Sequence, residues 1–221
     1  MFEGLQFMHS LNIAHNDAKD TNIMMDWHPI FDFPPHGANP ARKADWSGLI
    51  TYHNHTTHPV KHYFIDWNLS RKYDSVDNPP LLPPGYGGDQ TVPEFKRNEM
   101  CNPFAVDVYC MGNVIQRRFI DGIDPWGPAR RNVEFLNDLI SDMTHDDPSK
   151  RPTMDEVVSR FEKIRNGLSW WKLRCRVSDR RISLFWHLLY SPIHWAVQLS
   201  YILRRIPAIP DYTTSSTYSS T

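Results

Sequence analysis

Apolar residues repeat at helical spacing at the start of the chain. Four of them follow one another every three residues: Phe2, Leu5, Met8 and Leu11. This spacing predicts one face of a core-facing helix that is already under way at Met1. Because no capping residue precedes this helix, we expect further chain upstream of it.

Three more helices are predicted in the second half of the chain. Residues 104–119, "FAVDVYCMGNVIQRRF", are apolar nearly all round, which predicts a buried helix. Apolar residues from Val133 to Met143 mark an amphipathic helix. Thr153 and Glu156 then form a T-x-x-E capping box in front of a further apolar repeat.

Short apolar runs and long proline-rich segments separate these helices. The runs "NIMM", ending at Met25, and "YFI", from Tyr63 to Ile65, are short enough to be strands. Residues 27–62 and 74–93 are rich in proline and glycine, which predicts surface loops. The order of helix, short strands, long loops and helices predicts a mostly helical α+β fold.

Composition narrows the class of protein. With 221 residues, 40% of them hydrophobic, the chain can bury one sizeable core, so we expect one domain with a tail. A net charge of −1 does not indicate a nucleic-acid partner. The three cysteines form no C-x-x-C pair, and the N-terminus lacks the basic region of a signal peptide. We therefore expect an intracellular, cytoplasmic protein with unpaired thiols.

The stretch "IAHNDAKDTNIMMD", residues 13–26, crowds polar groups between apolar flanks. Asp17 can accept a proton from an attacking hydroxyl, and Lys19 can neutralise a transferring phosphoryl group. The side-chain oxygen of Asn22 can hold a metal ion, and Asp66, after the run "YFI", can supply a metal-binding carboxylate. Together these are the parts of a phosphoryl-transfer site, whereas Asp17 taken alone would more simply be a turn residue.

Five short motifs resemble those of the protein kinase family, in the family's order. "HNDAKDTN" is similar to the catalytic loop H-R-D-x-K-x-x-N, "DWN" to D-F-G and "VPE" to A-P-E. "DVYCMG" resembles the start of the large central helix, and "DPSKRPT" carries the arginine that pairs with the Glu of A-P-E. The matches cover roughly residues 1–165. They imply an α+β, mostly helical kinase-like C-terminal lobe with short β hairpins in its catalytic and metal-binding loops.

The resemblance implies a role for each polar residue of this site. Asp17 would be the catalytic base, and Lys19 would be catalytic through its contact with the γ-phosphate of ATP. Asn22 and Asp66 would bind the nucleotide through Mg²⁺. Since Lys19 is typical of the Ser/Thr version of the loop, the implied function is transfer of the γ-phosphate to Ser or Thr hydroxyls of a protein substrate.

Four further residues would support the lobe without taking part in the chemistry. By the same resemblance, Glu94 and Arg151 would form a bracing ion pair. Asp107 would bind backbone N–H groups of the catalytic loop, and His15 would be structural.

The largest departure from the family lies before the catalytic loop. A kinase binds ATP between two lobes, and the small lobe supplies a Gly-rich loop, a strand Lys and a helix Glu. None of these is found in the 14 residues before His15, and "GYGGDQ", residues 85–90, is a loop among prolines. The alternative function is therefore a catalytically inactive pseudokinase or interaction module. A small-molecule kinase of related fold is a weaker alternative, because such relatives usually lose the P-E and K-R-P features.

Three substitutions within the motifs leave the catalytic groups in place. Asn16 replaces the arginine that usually reads a phosphate, so activation by loop phosphorylation is not expected. Trp67 would fill the apolar slot of the Phe in D-F-G. Asn68 replaces the Gly, and asparagine is the next most tolerant residue of a left-handed backbone.

The insert at about 27–62 falls outside the family pattern. Its second half carries four histidines whose spacing could ligate a metal: His53, His55, His58 and His62. A solvated polar loop is the favoured interpretation, because no cysteine or orienting carboxylate lies close by in the sequence.

The tail, residues 166–210, mixes aromatic and cationic side chains. Residues 182–203 contain no Asp, Glu, Lys or Arg, and arginine pairs flank them on both sides. Three interpretations stay open: a helix packed on the lobe or on a missing neighbour, an interfacial amphipathic anchor, and a membrane span. Residues 168–206 would then contact a protein or a membrane surface. Residues 211–221 are predicted to be disordered.

Overall fold

A computed structural model describes residues 1–123 and 127–209 of the chain. The α-helices in these residues are α1 (Phe2–Ser10), α2 (Pro93–Arg97), α3 (Pro103–Ile115), α4 (Asn137–Met143), α5 (Met154–Gly167), α6 (Trp170–Arg174) and α7 (Leu184–Leu203). The strands are β1 (Ile13–Ala14), β2 (Ile23–Met25), β3 (Pro35–His36), β4 (Asn39–Lys43), β5 (His62–Phe64), β6 (Arg71–Lys72), β7 (Gly122–Ile123), β8 (Gly127–Pro128), β9 (Arg130–Arg131) and β10 (Ser178–Asp179). The predicted α+β class, with helices dominant, is confirmed.

Each sheet in this part of the chain has only two strands. β1 pairs with β6, β3 with β4, β7 with β8 and β9 with β10, all antiparallel, and β2 pairs with β5. The two pairs built from β1, β2, β5 and β6 bracket the polar residues predicted from the sequence. β1 leads into His15, β2 follows Asn22, and Asp66 lies between β5 and β6.

The chain divides into two compact units. The first contains Met1–Ile23 and Phe64–Tyr190. The second contains Met24–Tyr63 together with residues 191–209. The predicted insert, 27–62, falls within the second unit, and the predicted tail, 166–210, is divided between the units. Residues 211–221, which were predicted to be disordered, lie outside the described residues.

The core of the first unit is helical. α1 packs on α5, with the rings of Phe2 and Phe161 in edge contact at a centroid distance of 5.4 Å. Leu5 and Met8 are buried as predicted, but Leu11 is exposed because α1 ends one residue before it. The largest fully buried apolar side chains of this core also come from α3, α4 and α5: Met111, Leu139, Ile140, Met143, Met154 and Val157.

Side chains cap the two longest helices of this core. Asn102 accepts hydrogen bonds from the backbone N–H groups of the first turn of α3, and the predicted capping box of Thr153 and Glu156 is confirmed at α5. The predicted helix at 104–119 is α3, but its regular part ends at Ile115. The chain then widens into a π-helical turn, Gln116–Asp121.

A buried ion pair joins α2 to the loop before α5. The Arg151 guanidinium donates to both carboxylate oxygens of Glu94, at 2.8 and 2.6 Å, and to the carbonyls of His145 and Ala105. It also lies over the ring of Tyr109 at 4.9 Å. The predicted pair is therefore confirmed. Because neither charge reaches solvent, each depends on the other for compensation.

The second unit has a small core of its own. Ile30, Ile50 and Val60 are buried there, as is Tyr201, whose hydroxyl accepts a hydrogen bond from Asn54 at 2.8 Å. Residues 27–62 are therefore more than the solvated loop that the sequence favoured.

The histidines of this unit also differ from expectation. The sequence offered no orienting carboxylate, yet Asp32 lies 2.9 Å from Nε2 of His53, whose ring stacks on His58. In residues 1–123 and 127–209, no three His, Cys, Asp or Glu side chains come together as a metal-binding group.

Two expectations about the whole chain can be compared with the structure. Cys101, Cys110 and Cys175 are free thiols, as expected. None of the described helices combines the length and the hydropathy that a membrane span requires.

Replacing Arg151 with alanine should lower the free energy of unfolding by about 3–5 kcal/mol, because the Glu94 carboxylate would be left buried and unpaired. Urea unfolding of the purified chain measures the change. The matched control is Arg160→Ala, which breaks a half-exposed pair with Asp142 and should change stability by less than about 1 kcal/mol. Equal losses in the two variants would contradict a bracing role for the buried pair.

Candidate functional site

The loop that follows β1 is buried and held from below by α3. The backbone N–H groups of His15 and Asn16 donate to the two carboxylate oxygens of Asp107, at 2.6 and 2.8 Å. His9 lies 3.2 Å from the same carboxylate. This confirms the predicted contact between Asp107 and the loop. Asn16 has a left-handed backbone with φ of 63°, which asparagine tolerates better than most residues.

The ring of His15 is fully buried under the site. Its Nδ1 accepts a hydrogen bond from the backbone N–H of Asp17 at 3.3 Å. The ring lies about as close to Phe64 as to Trp67, with centroid distances of 5.2 Å. These contacts fit the structural role expected for His15. Trp67, which was expected to fill an apolar slot, is instead half exposed.

Three hydrogen-bond donors of the site converge on the carboxylate of Asp17. Its Oδ2 accepts hydrogen bonds from Lys19 and Asn22, both at 2.8 Å, and its Oδ1 accepts one from the backbone N–H of Gly88 at 2.6 Å. Burial disfavours the charge of Asp17, but the hydrogen bonds from these three donors outweigh it and lower its pKa below the usual value. Asp17 is therefore ionised at neutral pH.

The side chain of Asn22 is fixed by its amide nitrogen. This nitrogen donates to the backbone carbonyl of Asp17 at 3.0 Å as well as to its carboxylate. The side-chain oxygen of Asn22 accepts no hydrogen bond from any other described residue. It is therefore available to a ligand.

Asp66 lies beside Asn22, because the N–H of Ile65 donates to the Asn22 carbonyl at 3.0 Å. Its carboxylate is exposed and makes no hydrogen bond or ion pair with another described residue. The left-handed backbone of this turn occurs at Asp66, with φ of 62°, and not at Asn68, which lies in a 3-10 turn. The prediction of a left-handed residue at Asn68 was therefore wrong.

The residues implied to hold Mg²⁺ fit that ion by their chemistry. Asn22 offers an amide oxygen and Asp66 a carboxylate oxygen, and neither atom is engaged elsewhere in the described part of the chain. Mg²⁺ takes oxygen ligands, usually one or two from protein side chains, with the rest supplied by water and phosphate. The pair is therefore suited to a metal that arrives with a nucleotide.

The sequence did not predict the part played by the loop at residues 85–90. Gly87 has φ of +76°, and a Cβ on it would lie 2.6 Å from the carbonyl oxygen of Asn16. Only glycine allows this approach, which brings the N–H of Gly88 onto Asp17. Two adjacent glycines were the signal for close backbone packing.

A cleft of about 310 Å³ opens beside Lys19 in the first unit. Its lining brings cationic and anionic side chains together: Lys19, Asp20, Asp89, Arg117 and Arg118. Asp20 and Arg118 form an ion pair, and Asp89 accepts hydrogen bonds from Thr91 and Asn113. The cleft is also lined by Gly88, so two of its residues, Lys19 and Gly88, are donors to Asp17.

Replacing Lys19 with methionine should raise the pKa of Asp17, because it removes one of the donors that outweigh burial. A ¹³C NMR titration of the aspartate carboxyls gives the midpoint, with Lys72→Met as the control. Since folding lowers this pKa below 3.8, ionised Asp17 stabilises the fold above that pH. The stabilisation is lost as the pH falls through the folded-state pKa. An unchanged midpoint in the Lys19 variant would argue against the ion pair.

Replacing Gly87 with alanine should destabilise the protein more than replacing Gly85. Both glycines have positive φ, which costs an alanine about 1–2 kcal/mol. A Cβ on Gly85 would meet open space, whereas one on Gly87 would clash with the backbone. We expect an additional loss of about 1–3 kcal/mol for Gly87→Ala in urea unfolding. Similar losses in the two variants would mean that the loop does not depend on this approach.

Comparison with known protein families and curated proteins identifies no relative of this chain. No model of a known protein family matches the chain, and no curated protein matches its sequence. A function must therefore be inferred from the residues themselves.

Proposed function

We propose that the chain is the C-terminal lobe of a protein-kinase-like enzyme that transfers the γ-phosphate of ATP to Ser or Thr hydroxyls of a protein. The observation that carries the proposal is the convergence of Lys19, Asn22 and the Gly88 N–H on an ionised Asp17. The order of the motifs in the sequence adds to it. Asp107 and the buried pair of Glu94 and Arg151 support the loop and the lobe as the resemblance implies.

Asp17 orients the acceptor hydroxyl and takes its proton. An ionised carboxylate has about four lone-pair directions, and protein donors use three of those of Asp17. The remaining direction is on Oδ1, because Oδ2 already accepts from both Lys19 and Asn22. A hydroxyl bound there donates its hydrogen to the carboxylate, which leaves the lone pairs of its oxygen free to attack a phosphoryl group.

Lys19 neutralises charge next to this hydroxyl. Its ammonium has three donors, of which one is directed at Asp17. The side chain is partly exposed, so its other donors can reach an incoming phosphate. An ammonium at this place stabilises charge that builds up on the transferred group.

Asn22 and Asp66 would hold Mg²⁺, through the oxygens that have no other partner. Mg·ATP, when bound, supplies the phosphoryl group and neutralises its charge. Asn22 also fixes Asp17, so a single side chain sets the distance between the base and the metal-binding oxygens. The small lobe that would complete the nucleotide site is part of the proposal.

Replacing Asp17 with asparagine should reduce phosphoryl transfer by about a hundredfold or more, because asparagine keeps the shape and loses the proton acceptor. The 5′ end of the transcript is mapped first, and the protein of the full reading frame is expressed. Transfer of ³²P from γ-labelled ATP to a Ser/Thr peptide mixture is then measured with Mg²⁺. The matched control is Asp74→Asn, at an exposed aspartate away from the site.

Two results would overturn the proposal. The first is a full-length protein that transfers no phosphate at any Mg·ATP concentration, which would favour the inactive pseudokinase or interaction module. The second is an Asp17→Asn variant as active as the wild type, which would remove the base from the mechanism. If the Asp74→Asn control also loses activity, the loss in Asp17→Asn reflects a less stable protein and not removal of the base.

A further inference from the structure

The outer face of α7 is apolar except at Ser200, which is exposed. Large side chains exposed on this face are Phe185, Trp186, Leu188, Leu189, Ile193, Val197, Leu199 and Leu203. Ile193 is 64% exposed and Leu203 84% exposed. A contiguous apolar surface of this kind marks an interaction site, whereas single exposed apolar residues need no explanation.

The face of α7 turned toward the protein is mostly polar, with Trp195 and Ile202 half-buried beside the polar residues. Its polar residues recur at intervals of four and three: His187, Ser191, His194, Gln198 and Tyr201. Nδ1 of His187 lies 3.0 Å from the hydroxyl of Ser178, and the hydroxyl of Tyr201 accepts from Asn54. The polar side of the helix is thus satisfied within the protein. The helix is inverted relative to an ordinary surface helix, which buries its apolar side.

Arginine pairs flank α7, but the pair before it is compensated, since Arg180 lies 3.1 Å from Glu134 and Arg181 lies 3.4 Å from Asp179. Arginines precede it at positions 180 and 181 and follow it at 204 and 205, and residues 180–209 contain no Asp or Glu. Arg204 and Arg205 are exposed and form no ion pair with another described residue. An apolar face that ends at two uncompensated cations is complementary to a surface that is apolar beneath and anionic above.

We propose that α7 docks flat on an anionic lipid surface, with its outer face in the acyl boundary and Arg204 and Arg205 on lipid phosphates. The exposed apolar side chains extend from Phe185 to Leu203, so burying all of them places the axis parallel to the membrane. Trp186 and Tyr190 stack on each other at the edge of the face, where amphipathic rings favour the interface.

A second copy of the chain is a poorer occupant of this face. Two α7 helices packed antiparallel across a two-fold axis would bring the arginine pair before one helix against the pair after the other. The face carries no acid that could pair with Arg204 and Arg205. Such a dimer would leave these two cations without partners, whereas anionic lipid supplies phosphates to them.

Co-sedimentation of the purified chain with extruded vesicles tests the proposal. We expect binding to phosphatidylcholine vesicles that contain phosphatidylserine and about tenfold weaker binding to phosphatidylcholine alone. Ile193→Glu should lower the partition coefficient at least tenfold. The matched control is Leu81→Glu, at a leucine that is similarly exposed but lies in a loop of the first unit.

The arginines provide a second test that does not depend on the apolar face. Replacing Arg204 and Arg205 with alanine should weaken binding to anionic vesicles about tenfold and reduce its dependence on salt. The control replaces Arg71 and Lys72, another exposed pair of adjacent cations. If circular dichroism shows that Ile193→Glu does not fold, the comparison of the Arg204/Arg205 variant with the Arg71/Lys72 control still tests lipid binding.

Four results would contradict the proposal. The wild-type chain could fail to sediment with anionic vesicles, or the folded Ile193 and arginine variants could bind as well as the wild type. Light scattering could also show a wild-type dimer that Ile193→Glu converts to a monomer, without vesicle binding. That last result would assign the face to a second copy of the chain. Equal binding to neutral and anionic vesicles would contradict the role of the arginines.

Discussion

The buried carboxylate of Asp107 holds the candidate site to the helical core. A charge without solvent costs several kcal/mol unless polar partners replace the water. Asp107 receives the backbone N–H groups of His15 and Asn16, and the ring of His9 lies beside it. Because the loop supplies the N–H donors that replace water around this carboxylate, moving the loop away from α3 would leave the charge of Asp107 buried without these donors. The position of Asp17 is fixed as a consequence.

The sequence could predict the contacts of charged residues that lie in apolar surroundings. Asp107 lies in an otherwise apolar helix, and a buried carboxylate requires hydrogen-bond donors. The resemblance to protein kinases implied that the loop at His15 and Asn16 supplies them. The same holds for Glu94 and Arg151. The spacing of Asp17, Lys19 and Asn22 is local, so their convergence within one loop follows from a few backbone dihedrals.

Contacts between distant parts of the chain could not be predicted in this way. Gly88 is 71 residues from Asp17, and its N–H is a backbone group that every residue but proline carries. The adjacent glycines at 87 and 88 indicate a close backbone approach, but they do not indicate which residue is approached. The left-handed turn likewise occurs at Asp66 instead of Asn68, because the 3-10 turn after β5 begins one residue beyond it.

The periodicity of α7 shows two faces, but periodicity alone does not say which face is buried. The usual assumption places apolar residues inside, and here it fails because the neighbouring surfaces offer hydrogen-bond partners. Ser178 and Asn54 bind the polar side, so turning the helix over would leave these groups unpaired. The orientation is thus decided by the partners of the helix and not by the helix itself.

One helix also sets the geometry above Asp17. α3 carries Asp107, which binds the loop after β1, and six residues later Asn113, which donates to Asp89 at 2.6 Å. Six helical residues span about 9 Å along the axis. α3 therefore holds the loop after β1 and the loop that contains Asp89 at a fixed separation. Since Asp89 directly follows Gly88, the donor to Oδ1 of Asp17 is positioned by the same helix as the loop below it. The carboxylate of Asp17 is therefore positioned by α3 from both sides.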